Sequence, residues 1–406
     1  MKKKSQTKAS TSTLPFPPWP HFGREEEEAA LRVLRSGRVN YWTGKECGLF
    51  EDEWKDCLGR KHAISLANGT VALELALRAL DIGPQDEVIV PSKSFVATAS
   101  SVMACGAKPV FVDIDENSQN ISATSIEGAI SDRTKALIAV HMGGWPCDMD
   151  PIMELAESKS LRVIEDCAQA HGAKYRGRAV GSLAHVACFS FCQDKIITSA
   201  GEGGMLLTDD GDVWRRAWAY KDHGKDYEAT FKRQHPPGFR WLHESFGSNF
   251  RMTEIQAAVG RVGLANLEGW VERRRELAAL LEEQLSGIEG FYFSSVPADC
   301  YLSYYRYYAF LDPSVFRDGW TRDSFVDAVC ERGTPCFSGT CSEMYLEKAF
   351  ADHPDFAHYA KDRLPVARKI SERVVSFLVH PTLREEDIRS TSDACSRVMD
   401  VVKRGS

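Results

Sequence analysis

From residue 61 to about residue 250, short apolar runs alternate with stretches of helical periodicity. The runs are HAISLA, DEVIVP, KPVFVDI, TKALIAVHM, LRVIED, HVACFSF and GGMLLTD, and helical patterns such as GTVALELALRAL and DPIMELAESKS lie between several of them. Strands this apolar are buried on both faces, and their alternation with helices favours parallel pairing. The sequence therefore predicts an α/β fold with a mostly parallel central sheet.

The segments that flank this region differ from it. Residues 1–22 contain lysines but no apolar stretch, so we expect a flexible tail there and no secretory signal. The stretch MTEIQAAVGRVGLANLEGWVERRRELAALLEEQL predicts one long amphipathic helix that leads into a smaller α+β region. We therefore expect a large domain over residues 23–255, and the connecting helix with a small C-terminal domain over residues 256–406.

Composition excludes several classes of partner. The net charge of -7 argues against nucleic acid or an anionic membrane as the main ligand, and no apolar run reaches the ~18 residues of a membrane span. The 12 cysteines include no C-x-x-C pair, and their spacing suits neither a zinc site nor a disulfide scaffold. We therefore expect reduced thiols, no metal and a cytoplasmic location.

The first candidate ligand-binding motif is ANGTVALELAL. Asn68, Gly69 and Thr70 follow an apolar run and open a helical pattern. A helix start of this kind offers free backbone N–H groups, a hydroxyl and a positive dipole end to an anion. An ordinary N-cap turn explains the same residues, so the motif does not decide between the two alone.

Two further motifs follow other predicted strands. Asp166 ends the run LRVIED, and Gln169 lies on the loop after it. A carboxylate at a buried strand tip needs a cationic partner or hydrogen-bond donors. Phe95 follows DEVIV, and its ring either faces the same crevice or packs in the core. Because the ends of parallel strands meet at one edge of a sheet, we expect these side chains to converge.

Lys195 stands in FSFCQDKIITSAGEGGMLLTDD, after Ser190 and before a glycine-rich turn. We expect partial burial to favour its neutral amine, the form that makes a Schiff base with an aldehyde, although a surface lysine at a strand end is the alternative. An anion seat, a buried carboxylate, an aromatic ring and this lysine together match pyridoxal 5'-phosphate. In this interpretation Gly69, Thr70 and Ser190 bind the phosphate, and Asp166 keeps the pyridine nitrogen protonated.

Three segments, FSFCQDKIITSAGEGGMLLTDD, EDCAQAHGA and FGSNFRMTEIQAAVG, closely resemble the DegT/DnrJ/EryC1/StrS family of nucleotide-sugar aminotransferases. The resemblance runs from about residue 23 nearly to the end and implies the aspartate-aminotransferase fold, fold type I of the pyridoxal phosphate enzymes. It also implies the role of each motif residue. Lys195 would bind the cofactor aldehyde, Asp166 the pyridine nitrogen and Ser190 the phosphate, while Gln169 would lie beside the ring hydroxyl and Phe95 would stack on the ring.

The same resemblance implies a shared active site. Asn249 and Arg251 match a segment that in relatives reaches the phosphate region of the neighbouring subunit, so we expect a homodimer. This chain departs from many relatives at Gly143, where they have a larger residue, and from some at Phe95, where they have tryptophan. Both departures bear on the fit of the sugar.

The resemblance implies transfer of an amino group from L-glutamate to a ketone of a nucleotide-linked 6-deoxy sugar. The first choice is C4 and the alternative is C3, for an O-antigen, another surface polysaccharide or an antibiotic sugar. The nucleotide stays open among UDP, GDP and dTDP. A dehydratase on the same fold is disfavoured because relatives of that kind replace the lysine with histidine, whereas this chain keeps Lys195. A non-catalytic regulator would need a DNA-binding helix-turn-helix, which the acidic first helical pattern does not supply.

Overall fold

The computed structural model of the chain describes residues 16–235, 237–238, 240–339 and 341–403. The helices are α1 (Arg24–Ser36), α2 (Glu46–Leu58), α3 (Gly69–Ala79), α4 (Ala97–Ala104), α5 (Ala123–Glu127), α6 (Met149–Ser158), α7 (Gly211–Lys221), α8 (Tyr227–Phe231), α9 (Glu254–Ser286), α10 (Arg322–Cys330), α11 (Lys348–Ala351), α12 (Ala357–Lys361), α13 (Pro365–Ser371) and α14 (Glu385–Val402). The strands are β1 (His62–Leu66), β2 (Glu87–Pro91), β3 (Lys108–Val112), β4 (Thr134–Val140), β5 (Arg162–Asp166), β6 (Lys174–Tyr175), β7 (Arg178–Ala179), β8 (Val186–Ser190), β9 (Gly204–Thr208), β10 (Phe291–Tyr292), β11 (Cys300–Tyr301), β12 (Tyr307–Leu311), β13 (Cys336–Phe337) and β14 (Val374–Phe377).

A seven-stranded sheet with the order β1-β9-β8-β5-β4-β2-β3 forms the centre of the protein. The pairs β2–β3, β2–β4, β4–β5 and β5–β8 are parallel. Strand β9 is antiparallel to both of its neighbours, β8 and β1. The predicted α/β class and mostly parallel sheet are therefore confirmed.

Both faces of this sheet are covered. Successive residues of β2 enter different cores, since Ile89 lies in one cluster of buried residues while Val88 and Val90 lie in the other. Helix α3 contributes Leu75 to the second cluster, and α2 contributes Phe50 to the first. A strand packed on both sides has no polar face, which explains why the predicted strands are continuous apolar runs.

The parallel strands place the candidate motifs at one edge. Strand β1 is followed by Asn68, whose side chain accepts a hydrogen bond from Val71 N at 2.9 Å and caps the N-terminus of α3. Strand β5 ends at Asp166 and β8 ends at Ser190. Since β1, β5 and β8 run in the same direction, their carboxyl ends open onto one crevice.

Helix α9 confirms the predicted long helix. It is 33 residues long and starts with a capping box between Thr253 and Gln256, so the domain boundary predicted at residue 255 falls in its first turn. Beyond it lies a four-stranded antiparallel sheet with the order β10-β12-β14-β13, packed with α9, α10 and α14 around a core of its own. A third, three-stranded sheet pairs β11 with β6 and β6 with β7.

Residues 16–22, the described part of the predicted tail, pack against the rest of the chain. Trp19 Nε1 donates a hydrogen bond to the carbonyl oxygen of Lys195 at 2.9 Å, and the Trp19 ring meets Trp270 edge-on. Thr382 Oγ1 donates to the carbonyl oxygen of Pro18 at 3.0 Å. These contacts tie this segment to α9 and to the Lys195 loop, while residues 1–15 lie outside the described residues.

Across the described ranges, none of the helices combines the length and the apolar character that a membrane crossing requires.

Candidate active site

A cleft of about 600 Å³ lies at the carboxyl edge of the central sheet. Every predicted site residue except Asn249 and Arg251 lines this cleft. The predicted residues that line it are Gly69, Thr70, Phe95, Asp166, Gln169, Ser190 and Lys195. The cleft therefore unites motifs that are far apart in the sequence.

One end of the cleft is formed by the first turn of α3 and the end of β8. A Cβ atom on Gly69 would lie 2.5 Å from Ser190 Cβ and 3.0 Å from Ser190 Oγ, closer than side chains approach one another. Glycine at this position therefore lets the α3 N-terminus and the Ser190 hydroxyl face the same small volume. Backbone N–H groups, hydroxyls of Ser190 and Thr70 and a positive dipole end form a seat that suits a phosphate.

Asp166 lies at the tip of β5 with 6% of its surface exposed. Its carboxylate accepts hydrogen bonds from Thr98 Oγ1 at 3.0 Å and from Ala168 N at 3.2 Å. Burial raises the pKa of Asp166, although both hydrogen bonds oppose the shift. A protonated ring nitrogen beside this carboxylate would favour its charged form. Thr98, on α4, was not predicted from the sequence because a lone threonine in a helical pattern carries no signal.

Gln169 is oriented by a glycine. The backbone N–H of Gly143 donates a hydrogen bond to Gln169 Oε1 at 2.8 Å. Gly143 has φ +65°, and a Cβ there would lie 2.1 Å from the ring of Tyr308. Tyr308 thus fills the space that a larger residue would need, which explains why this chain has glycine at position 143.

Lys195 lies between Asp194 and Tyr305. Its Nζ is 3.5 Å from Asp194 Oδ1 and 3.4 Å from the Tyr305 hydroxyl, which donates a hydrogen bond to Asp194. Burial lowers the pKa of Lys195, but electrostatic interactions with Tyr305 and Asp194 outweigh burial and raise the pKa above its usual value. The expectation that burial leaves this amine neutral is therefore wrong for the free protein, because it took no account of a carboxylate beside the amine.

Asp194, Tyr305 and Arg306 also belong to the surroundings of Lys195, although no role was predicted for them. Arg306 Nη2 lies 3.7 Å from Asp194 Oδ2, so Asp194 is shared between Lys195 and Arg306. The position of Asp194 next to Lys195 was the available signal. Tyr305 belongs to the aromatic run YLSYYRYYAFL, 110 residues from Lys195, and only the tertiary fold brings the two together.

Phe95 and the SNFR segment complete the predicted set. The Phe95 side chain lines the cleft, as predicted, and is 62% exposed, so the alternative of a core position does not hold. Asn249 is exposed and forms a backbone bridge with Asp222. Arg251 pairs with Asp222, and its buried Nε has no hydrogen-bond partner among the described residues. Asn249 and Arg251 thus lie outside the cleft of their own chain.

The residues of the cleft fit pyridoxal phosphate. The close approach of Gly69 to Ser190 excludes a side chain at position 69 and brings the helix N-terminus and a hydroxyl together, as a phosphate requires. Asp166 would supply a buried carboxylate for the ring nitrogen, and Lys195 would supply an amine for the aldehyde. These three features lie in one cleft, and each matches one functional group of the cofactor.

Comparison with known proteins agrees with this chemistry. Residues 20–396 match the model of the DegT/DnrJ/EryC1/StrS aminotransferase family. The chain is 37% identical over 366 residues to UDP-N-acetyl-3-dehydro-alpha-D-glucosamine 3-aminotransferase of Acidithiobacillus ferrooxidans, covering 90% of both chains. It is 38% identical over 353 residues to GDP-perosamine synthase of Caulobacter vibrioides, covering 86% of this chain and 89% of the relative.

A solved structure extends the comparison to the fold. The X-ray structure of an aminotransferase from Psychrobacter cryohalolentis superposes with a TM-score of 0.90 at 48% identity, covering 96% of this chain and 100% of that one. The family match spans both the large domain and the C-terminal region. The chain therefore belongs to the DegT/DnrJ/EryC1/StrS aminotransferase family and is a pyridoxal phosphate-dependent transaminase of fold type I.

Proposed function

We propose that this enzyme transfers an amino group from L-glutamate to the C4 ketone of a nucleotide-linked 6-deoxy sugar. The observation that carries the proposal is the cleft in which Lys195, Asp166 and the Gly69–Ser190 seat meet. The acceptor class is supported by two relatives at 37% and 38% identity, whose names specify a UDP-linked keto sugar and a GDP-linked amino sugar.

When bound, pyridoxal phosphate supplies an aldehyde for amine exchange and an electron sink for the donor α-carbon. Gly69, Thr70 and Ser190 would hold its phosphate, with the dipole of α3 adding electrostatic attraction. Asp166 would hold a proton on the ring nitrogen, and the hydrogen bonds from Thr98 and Ala168 keep its carboxylate oriented toward the cleft. This charge strengthens the electron sink because it is fixed in place before reaction.

Lys195 has two tasks in this proposal. Its Nζ would hold the cofactor aldehyde, and as a free amine it would accept a proton from the donor α-carbon as a general base. In the free protein Asp194 and Tyr305 favour the protonated amine, so one proton must leave Nζ before it reacts. The Tyr305 hydroxyl, 3.4 Å from Nζ, is within reach to exchange that proton.

A shared active site is part of the proposal. Asn249 and Arg251 would serve the phosphate region of a second copy of the chain, which is supported by their position outside their own cleft. The segment before them exposes 79% of Trp241 and 99% of Phe246. Exposed aromatic residues of this kind are typical of a surface covered by a partner.

A C3 ketone is the second candidate acceptor. The relative from Acidithiobacillus ferrooxidans is named as a 3-aminotransferase, which favours this alternative directly. For either position we place the reaction in the cytoplasm, in assembly of an O-antigen or another surface polysaccharide. The location is supported by the absence of disulfides among the cysteines, all of which lie in the described part of the chain.

The acceptor is tested with a panel of nucleotide sugars. Purified holoenzyme and L-glutamate are incubated with 3-keto and 4-keto sugars linked to UDP, GDP or dTDP, and the products are identified by mass. We expect an amino sugar from a 4-keto-6-deoxy substrate, with 2-oxoglutarate formed in equal amount. If only 3-keto sugars give product, the acceptor ketone is at C3 and not at C4. Formation of 2-oxoglutarate without any amino sugar would refute the proposed class of acceptor.

A further inference from the structure

Three cationic side chains lie together at one side of the cleft. Lys195, Arg274 and Arg306 lie close together, and Asp194 is the carboxylate that contacts two of them, at 3.5 Å from Lys195 and 3.7 Å from Arg306. In the described ranges of the chain, Arg274 has no carboxylate within ion-pair distance. A partly buried cluster of three cations, with one carboxylate in contact with two of them, favours an anionic ligand.

The guanidinium of Arg306 packs against two aromatic rings, and one of its nitrogens has no hydrogen-bond partner in the described part of the chain. Its Cζ lies 4.7 Å from the centroid of the Phe337 ring and 5.5 Å from that of the Tyr305 ring. Its Nη1 is buried and has no hydrogen-bond partner among the residues that the structure describes. Stacking fixes the plane of a guanidinium and leaves the N–H donors at its edge for a carboxylate or a phosphate.

Arg274 holds the backbone that carries this side chain. It is 1% exposed, and its Nη1 donates hydrogen bonds to the carbonyl oxygens of Tyr304 at 3.3 Å and Tyr305 at 3.4 Å. Its Nε and Nη2 are buried without partners among the described residues. Burial and the charge of Arg306 lower the pKa of Arg274 to about 9. An anion bound at Arg306 would offset this repulsion between the two guanidinium groups.

The position of Arg306 selects the anion. Through Asp194 it lies next to Lys195, and it also lines a narrow slot beside the cleft together with Gly143 and Tyr308. The cofactor phosphate has its own seat at Gly69, and the diphosphate of a nucleotide sugar is separated from the reacting carbon by the sugar ring. The α-carboxylate of an amino acid is one bond from the carbon that reacts, so it must bind close to the Lys195 amine.

We propose that Arg306 binds the α-carboxylate of the amino donor. The inference rests on the proposed function insofar as the donor is an α-amino acid. Asp194 lies beside Arg306 with the opposite charge, which matches the ammonium and carboxylate groups of a zwitterion. In this arrangement Asp194 would attract the donor ammonium and Arg306 would hold the carboxylate, so the donor amine would lie next to Lys195 Nζ.

The test uses the first half of the reaction, which needs no sugar. Holoenzyme loaded with pyridoxal phosphate is mixed with L-glutamate, or with 4-aminobutyrate, which lacks the α-carboxylate, and the loss of visible absorbance is followed. Arg306→Gln is compared with the wild type, and Arg306→Lys retains the charge without the planar fork. Arg275→Gln is the matched control, because Arg275 also stacks on an aromatic ring, Tyr301, at 3.8 Å but does not line the cleft or the slot.

We expect Arg306→Gln to slow the reaction with L-glutamate roughly 10- to 100-fold and the reaction with 4-aminobutyrate less than about threefold, as expected for losing one charged hydrogen-bonded pair. Arg306→Lys should fall between, and Arg275→Gln should match the wild type. Equal slowing with both donors, or no slowing with either, overturns the proposal. If Arg306→Gln fails to hold the cofactor, the ratio of the two donors in Arg306→Lys decides in the same way.

The outcomes separate this inference from the sugar proposal. A normal half-reaction without any amino sugar product refutes the acceptor and leaves the role of Arg306 supported if the donor ratio falls. If the wild type uses another α-amino acid, the same ratio is measured with that acid and its decarboxylated amine. A wild type that reacts with amines but with no α-amino acid overturns the role of Arg306.

Discussion

At the scale of single residues, charge governs the reactivity of Lys195 more than burial does. Asp194 and Tyr305 contact the amine and hold its pKa above the usual value, against the effect of burial. In the apoenzyme the Lys195 amine is therefore held in its protonated form. Because only the neutral amine attacks an aldehyde, formation of the holoenzyme should accelerate as the pH rises through this raised pKa.

Replacing Asp194 tests this account. In Asp194→Asn the opposing charge is lost and burial lowers the pKa of Lys195, so the rate of pyridoxal phosphate uptake by the apoenzyme should reach its plateau at a lower pH. The rate is measured by the appearance of visible absorbance across a pH series. A midpoint that stays unchanged or moves to higher pH contradicts the role of Asp194.

Asp166 is the second residue with a defined electrostatic task. Asp166→Asn keeps the shape of the side chain but removes the charge that would hold the ring nitrogen protonated. We expect kcat to fall roughly 100-fold or more at saturating cofactor, because this charge acts mainly in the transition state. Turnover and cofactor occupancy are measured on the same samples. Full activity at saturating cofactor would show that Asp166 only contributes to binding.

At the scale of secondary structure, the start of α3 depends on one missing side chain. Gly69→Ala would place a Cβ 2.5 Å from Ser190 Cβ and push the helix start away from β8. We expect the Kd for pyridoxal phosphate to rise at least about tenfold, or ~1.4 kcal/mol, while binding of pyridoxal, which has no phosphate, changes little. Gly269→Ala in α9 is the control, because nothing lies within 4 Å of its Cβ and the helix should become slightly more stable. Equal losses for both ligands would contradict a phosphate seat.

Elements were predictable where the apolar pattern defines them. The seven apolar runs became β1, β2, β3, β4, β5, β8 and β9, since each is buried on both faces of the sheet. The antiparallel direction of β9 was not predicted, because an apolar pattern carries no information on direction. Strands β6, β7 and β11 have two residues each, too few for any periodicity.

The site residues were likewise predictable only where a sequence motif marks them. Asp166 and Ser190 stand at strand ends, and Lys195 lies in the loop after β8 within a recognisable motif, so all three could be predicted from the sequence. Tyr305 and Arg306 come from the small C-terminal region and have no motif of their own. Only tertiary packing brings Tyr305 to the cleft and Arg306 to the slot beside it. Their contribution follows from the docking of that region onto the sheet, which a single sequence does not reveal.

At the scale of the whole molecule, the proposed shared site would need residues from two chains. Asn249 is exposed and lies outside its own cleft, and the aromatic side chains of Trp241 and Phe246 before it are exposed as well. If Asn249 serves a neighbour, Lys195→Ala and a disruptive Asn249 variant should complement each other after subunit exchange. Mixed dimers would carry both lesions in one site and none in the other.

Random exchange makes about half of the dimers mixed, so about a quarter of all sites should recover activity under two-fold symmetry. The measurement is the specific activity of the mixture, with exchange proven by differently tagged chains. If exchange is proven and no activity returns, Asn249 contributes to the active site of its own chain.

The central claim, that Lys195 in this cleft performs transamination with pyridoxal phosphate, has one direct test. L-glutamate is added to holoenzyme without an acceptor, and visible absorbance and 2-oxoglutarate are measured together in wild type and in Lys195→Ala. The account predicts that the wild type loses its visible absorbance and releases 2-oxoglutarate in an amount equal to the bound cofactor, while Lys195→Ala shows neither change at a comparable rate. Near-normal release of 2-oxoglutarate by Lys195→Ala, or none by the wild type with any amino donor, would contradict it.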